Sequence, residues 1–137
     1  MPIAYRLDGP LDGPAYTDLL RRSTLGERRP IDNPACIAGM VANATLTVTA
    51  WDGDLLVGVA RSLTDWCYAC YLSDLAVDEA YQRQGIGREL IQRTQRALLP
   101  TCNLILLAAP AAHDYYAHLG FDAHSRAWYW PSTKPPL

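Results

Sequence analysis

The segment Gln82-Arg83-Gln84-Gly85-Ile86-Gly87-Arg88 sets two glycines one residue apart among polar and basic side chains. It stands between an apolar stretch, Leu75-Ala76-Val77, and a helical pattern. In that pattern Ile86, Leu90, Ile91, Thr94, Ala97 and Leu98 share one stripe, Arg88, Glu89, Gln92, Arg93 and Arg96 fall off it, and Pro100 stops it. A strand, a glycine loop and a helix in that order suit anion binding. The first amides of a helix have no partner inside it and carry the positive end of its dipole, and glycine lets an anion approach without a Cβ in the way. The backbone from Gln82 through Arg88 is therefore predicted to cradle a phosphate or diphosphate, with Arg83 and Arg88 at its rim.

Spacing separates the phosphate loops from one another. An ATP-binding loop ends in Gly-Lys-Ser/Thr, whereas Gly87 is followed by Arg88-Glu89. A dinucleotide fingerprint needs a third glycine at position 90, which is Leu. The pattern that fits is Gln/Arg-x-x-Gly-x-Gly/Ala, read as Gln82, Gly85 and Gly87 after a strand ending Leu75-x-Val77. It resembles the acetyl-CoA motif of the GNAT superfamily of N-acetyltransferases.

The resemblance implies an α/β (α+β) fold: a mixed, mostly antiparallel twisted sheet flanked by helices, whose central strands splay into a V. It implies acetyl-CoA as co-substrate, its pantetheine arm bonded like an added strand to backbone near Leu75, Ala76 and Val77. The diphosphate would rest on Gln82, Arg83, Gln84, Gly85, Ile86, Gly87 and Arg88. The family's Phe-Tyr-x-x-x-Gly-Phe pattern reads here Tyr115-Tyr116-Ala117-His118-Leu119-Gly120-Phe121. Tyr116 matches the tyrosine that gives the leaving thiolate a proton or hydrogen bond, and it adjoins the cofactor. The Asn that many members carry seven residues earlier is Ala109 in this chain.

For the base, Asp74 is the nearest carboxylate, directly before Leu75. It serves as base through a water, binds the acceptor ammonium, or pairs with a structural cation. Strand parity puts it with Leu72 and Ala76 unless a bulge redirects it. His113, His118 and His124 are alternatives by unperturbed pKa, with solvent exposure as the plainer reading of each, and Glu79 belongs to the turn before the loop. On the acceptor side, Arg28 and Arg29 would engage a carboxylate or phosphate, or form a solvated charge pair. Tyr71, with Arg61 and Trp66, would line the cleft.

These groups need elements to carry them. Ile3 to Leu7 reads as a strand. Asp12-Gly13-Pro14 starts a helix with Tyr16, Leu19 and Leu20 inward, ending near Leu25-Gly26. Glu27 to Pro30 reads as a loop, and Asp32-Asn33-Pro34 opens a second helix to Asn43 with Ile37, Met40 and Val41 inward. Alternation of Leu46, Val48 and Ala50 with threonines predicts a half-buried strand. Asp52-Gly53 predicts a hairpin turn into Leu55 to Leu63, and Cys67 to Val77 reads as the next strand. The apolar run Asn103 to Ala109 predicts a strand covered on both faces. Ala111 to Leu119 reads as a helix ended by Gly120, and Phe121 to Trp130 as one or two strands.

At 137 residues, 50% hydrophobic and 19% charged, the chain suits one globular domain over 1–137. A net charge of −2 leaves no electrostatic footprint for nucleic acid. No apolar run reaches spanning length, so no membrane partner is expected and the expected location is cytoplasmic. Of the four cysteines, Cys67 and Cys70 form a Cys-x-x-Cys. Placed on a strand they would face opposite sides, so free, at least partly buried thiols and no metal are expected.

The function expected is direct acetyl transfer from acetyl-CoA to a primary amine, a small-molecule acceptor foremost, in a ternary complex. A non-catalytic acyl-CoA-binding or regulatory module and a protein lysine or N-terminal acetyltransferase are the alternatives. The aromatic Trp128-Tyr129-Trp130 offers a homodimer contact, or packs on its own chain.

Overall fold

In the computed structural model, which describes residues 2–137, helix α1 (Gly13–Arg22) starts where its cap predicts. The Asp12 carboxylate accepts from the Ala15 amide at 3.1 Å, and Pro14 occupies the first turn. The helix ends three residues earlier than expected near Leu25. Ser23 turns the chain by donating its hydroxyl to Leu20 O and accepting from the Leu25 amide, which opens a 3-10 turn, Thr24–Arg28, over the expected helix end and the first half of the predicted loop. Gly26 lies so close beneath α1 that a Cβ on it would meet Leu20 O at 2.6 Å. Helix α2 (Pro34–Asn43) has Asn33 as its cap, accepting from the Cys36 amide.

The strands are β1 (Ala4–Leu7), β2 (Leu46–Asp52), β3 (Leu55–Thr64), β4 (Ala69–Val77) and β5 (Asn103–Ile105), arranged in that order in one sheet. The first four pair antiparallel and β5 joins β4 in parallel. Helix α3 (Ile86–Ala97) precedes β5. The hairpin turn falls one residue later than expected, on Gly53-Asp54, because Asp52 still pairs with Leu55.

Tyr16, Leu19 and Leu20 of α1 and Ile37 of α2 bury against Leu56, Val59 and Ala76 on one face of this sheet. Each leucine so buried contributes about 1.5–3 kcal/mol. Helix α3 covers the opposite face, its Leu90 and Ile86 pressed onto Gly58 beside Ala50. With helices on both faces, β2 is buried at Thr47 and Thr49 as well as at Leu46, Val48 and Ala50, which corrects the half-buried expectation.

β4 begins at Ala69 and not at Cys67, because the Asp65 carboxylate accepts from the amides of Cys67, Tyr68 and Ala69 and folds that segment into a turn. Cys67 is thus exposed and Cys70 buried; Cys36 is exposed too, against expectation, and all four thiols are free. The predicted strand Asn103 to Ala109 is cut to three residues. Only Asn103–Ile105 pair with β4, and Ile105 and Leu107 are half exposed, so the run is not covered on both faces.

The chain divides into two compact units, this one ending at Leu107 and a second over Ala108–Leu137. Within the second, a 3-10 turn (Pro110–Ala112) leads into helix α4 (His113–Leu119), closed by Gly120 at φ 102°. No strand forms between Phe121 and Trp130. The Arg126 amide donates to His124 Nδ1 at 3.0 Å, a local bond that bends the backbone where a ladder would need it extended.

Gly58→Ala should lower unfolding stability by about 1–3 kcal/mol. Its Cβ would sit 3.1 Å from Leu90 Cδ1 and 3.2 Å from Ile86 Cγ2. Urea denaturation reads this as a lower midpoint at unchanged slope; an unmoved midpoint would mean that α3 has slack against the sheet.

Candidate active site

Val77 ends β4, and a 3-10 turn (Glu79–Tyr81) leads to the glycine loop. The base of that loop is held from several sides. Asp78, almost fully buried, donates its amide to Val57 O at 2.9 Å and accepts from the Ala80 amide at 2.9 Å. Its carboxylate is ion-paired with Arg22 of α1, whose Nη2 also donates to Leu56 O at 2.8 Å. The Tyr81 hydroxyl donates to Asp52 at 2.6 Å, and Gln82 Nε2 donates back to Val77 O at 3.2 Å.

Above this base the loop is exposed from Gln82 to Gly85. Arg83 takes a left-handed φ of 64° and Gly85 one of 82°, which turn the chain into α3. Gly85 is the helix cap, no side chain caps the amides that follow, and the first intrahelical bond runs from the Glu89 amide to Gly85 O at 3.0 Å. The amides of Ile86, Gly87 and Arg88 are therefore the helix's unpartnered donors. A Cβ on Gly85 would meet nothing within 4 Å, so the space over the cradle is open. Ile86 is buried and anchors the turn, while Gln84 and Arg88 are exposed. This arrangement can hold a diphosphate.

Before the glycine loop, the outer edge of β4 beyond Tyr71 has no ladder partner among the described residues. Its parallel pairing with β5 stops at Tyr71–Ile105, while its antiparallel pairing with β3 continues to Val77. The Asp78 amide bonded to Val57 O fixes the phase of that ladder. Alternate residues Asp74 and Ala76 thus turn their backbone groups to β3, and Leu75 and Val77 turn theirs to the open side. Gln82 uses the Val77 carbonyl, which leaves the N–H and C=O of Leu75 for an extended ligand.

Asp74 faces α1 and α2, fully buried. Arg61 Nε donates to its Oδ2 at 2.6 Å, Arg29 Nε donates to its Oδ1 at 2.6 Å, and the Tyr16 hydroxyl donates to Oδ2. Burial by itself would raise this carboxyl, but the Arg61 charge and the bonds from Arg61, Tyr16 and Arg29 outweigh it and hold it below the ordinary carboxylate range. Burial and the Asp74 charge push the Tyr16 phenol far above its ordinary value, so it remains a proton donor. With both oxygens engaged and no exposure, Asp74 has the surroundings of a group that positions others. It lacks the substrate-facing oxygen of a base.

Arg28 is exposed at the end of the 3-10 turn Thr24–Arg28, Tyr71 is exposed on β4, and Trp66 is exposed at the Asp65 turn. Arg61 is buried in the Asp74 cluster and does not line an open cleft. In the second unit, Tyr116 of α4 is half-buried, its ring edge-on to Tyr115 at 5.4 Å and to Phe121 at 5.5 Å. The Gly120 turn brings the Phe121 amide to Tyr116 O at 3.0 Å, so the motif's Gly-Phe ending braces the tyrosine from below. His113, His118 and His124 are exposed.

Sequence reasoning placed Tyr16 on an apolar face without its hydroxyl partner and passed over Arg22 and Asp78. The signal for Arg61 was an arginine ending an otherwise apolar strand run, Leu55 to Ala60. A charge there must find a buried counter-charge.

A mixed sheet that parts beside a glycine-capped helix, with free amides at the parting, defines the class as an α/β domain of the acyltransferase type. The chain belongs to the GNAT acetyltransferase family: the model of the acetyltransferase (GNAT) domain matches residues 29–129. It is 39% identical over 70 residues to GCN5-related N-acetyltransferase 2, chloroplastic, of Arabidopsis thaliana, a stretch that is 50% of this chain and 27% of that protein. The chain thus matches about a quarter of that relative's length. Its fold is similar to a GNAT-family acetyltransferase of Streptococcus pneumoniae, with TM-score 0.79, 20% identity and coverage of 97% of this chain and 100% of that one. It is also similar to aminoglycoside N-acetyltransferase AAC(6')-Iy in complex with CoA, with TM-score 0.70, 17% identity and coverage of 96% and 95%. Among the described residues no helix is long and apolar enough to cross a membrane.

Asp74→Asn should cost about 3–5 kcal/mol at neutral pH, since it leaves Arg61 buried without its counter-charge. Because the folded carboxyl lies below its unfolded value of about 3.9, its contribution is present above that pH and fades as pH falls through the folded value. Wild-type stability should therefore drop as pH falls below about 4 more steeply than that of the Asn variant. Urea melts across that range check both, and parallel curves would discount the cluster.

Proposed function

We propose that this chain is an acetyl-CoA-dependent N-acetyltransferase that passes the acetyl group directly to the primary amine of a small molecule. The observation that carries the reading is the set of uncapped amides of Ile86, Gly87 and Arg88, set after a strand whose Leu75 backbone is free. These residues fit the two parts of coenzyme A that need backbone donors. The cradle suits the diphosphate, with Arg83 and Arg88 adding charge, and Leu75 suits the amide-bearing arm, flanked by Ala76 and Val77. Bound there, acetyl-CoA supplies an activated acyl carbon and a thiolate leaving group.

In this reading the acceptor reacts as its neutral amine, having lost a proton to solvent. Nitrogen bonds to the acyl carbon, the carbon–sulfur bond breaks, the Tyr116 hydroxyl gives its proton to the sulfur, and the proton the nitrogen then sheds restores the phenol. Asp74 acts at a distance, through the arginines it holds. Arg28 and Tyr71, both exposed, are assigned to the acceptor side. A small-molecule acceptor is supported by the aminoglycoside N-acetyltransferase among the proteins of similar fold.

Isothermal titration with acetyl-CoA should show micromolar to sub-millimolar binding, and a panel of amines should release free thiol. No binding at millimolar ligand removes the reading; binding without thiol release from any small amine or lysine peptide favours a binding module. Tyr116→Phe should lower kcat by about a hundredfold or more with affinity for acetyl-CoA kept. An unchanged kcat takes the proton transfer away from Tyr116.

A further inference from the structure

The register of β3 with β4 slips by one residue: Arg61 pairs with Asp74, but Ser62 pairs with Leu72. Ser73 is therefore an extra residue on β4, a bulge with no ladder partner opposite it. It stands two residues after Tyr71, where pairing to β5 ends, and two before Leu75. Both arginines of the buried cluster converge on it. Arg29 Nη2 donates to Ser73 O at 2.7 Å while its Nε holds Asp74 at 2.6 Å. Arg61 Nη2 donates to Ser73 Oγ at 3.0 Å while its Nε holds the other Asp74 oxygen at 2.6 Å.

We propose that Arg29 is a positioning residue for acetyl-CoA: its guanidinium fork clamps the Ser73 bulge and thereby aims the free N–H and C=O of Leu75. The inference rests on the acetyltransferase reading above. A bulge bends its strand and increases its twist, so the direction of the next few backbone groups depends on how the bulge is held. Hydrogen bonds weaken steeply when misaligned, so a small rotation at Ser73 is felt at Leu75. The clamp needs a planar fork, because one side chain must reach a carboxylate oxygen and a carbonyl at once. Lysine gathers its three donors at one rotating point and cannot span the two acceptors with the same fixed geometry. Arg29 Nη1 donates to Arg28 O at 2.9 Å, which steadies the fork against its own segment. Arg29 touches neither the cradle nor the Leu75 backbone in any of these bonds, so its influence on the ligand is indirect.

The test is calorimetric binding of acetyl-CoA to wild type, Arg29→Gln and Arg29→Lys, with the melting temperature of each and the KM for acetyl-CoA against kcat. The expected result is a Kd and KM raised about tenfold in the Gln variant, an intermediate rise in the Lys variant, and a smaller change in kcat. A merely structural arginine would lower the melting temperature and leave Kd unmoved; that outcome overturns the proposal. Should Arg29→Gln fail to fold, Arg29→Lys decides: a wild-type Kd in it overturns the clamp. Absence of binding in wild type would overturn the acetyltransferase reading as well, so the two failures are told apart.

Discussion

A fully buried carboxylate, Asp74, sits between two arginines and a tyrosine. Much of the first unit is arranged to satisfy it. An ionised carboxylate removed from water is tolerated only with partners at both oxygens, and those partners come from three separate places in the chain. Tyr16 comes from α1, Arg29 from the segment after the first 3-10 turn, Arg61 from β3, and Asp74 itself from β4. One ionic requirement thus ties the helical layer to the middle of the sheet. Gly26 lets the 3-10 turn lie against Leu20 O, so that Arg29 can reach its partner.

On the other side of β4, pairing with β5 ends at Tyr71–Ile105. β4 carries the Ser73 bulge immediately beyond its last pair with β5, and from there its outer edge has no ladder partner among the described residues. A free strand edge is ordinarily a hazard, because it invites another chain. Here it adjoins a helix start whose amides are equally unspent. The two sets of unpaired backbone groups lie in sequence, Leu75 before the turn and Ile86 to Arg88 after it. The ion pair of Arg22 with Asp78 and the Tyr81–Asp52 bond hold the connecting segment in place.

The cap residues Asp12 and Asn33, the hairpin after Asp52 and the glycine loop were legible because each depends on contacts within a few residues. A side chain finds an amide three positions on, or a glycine takes a left-handed φ, whatever the rest of the chain does. Asn103 to Ala109 and Phe121 to Trp130 were read as longer strands from their composition alone. A strand needs a neighbour to exist, and composition does not say whether the neighbour will be there. Pairing of β5 with β4 ends at Tyr71–Ile105, and the His124–Arg126 bond takes the backbone needed for pairing. The Cys67 start was misread for the opposite reason, since the Asp65 turn is local but its three amide partners were hidden in an apolar pattern.

By itself the sequence determined the left-handed glycine turn, the helix it opens and the family motif, because a glycine at position 85 and the amides after it act through local backbone geometry. It also determined which residues carry charge. Tertiary structure alone decided which of those charges meet. Asp74 was read along the chain as a base, an ammonium binder or the partner of a structural cation, and Arg29 as an acceptor contact or half of a solvated pair. They lie 45 residues apart yet bond through the Arg29 Nε, and no local rule predicts which buried charge will meet which.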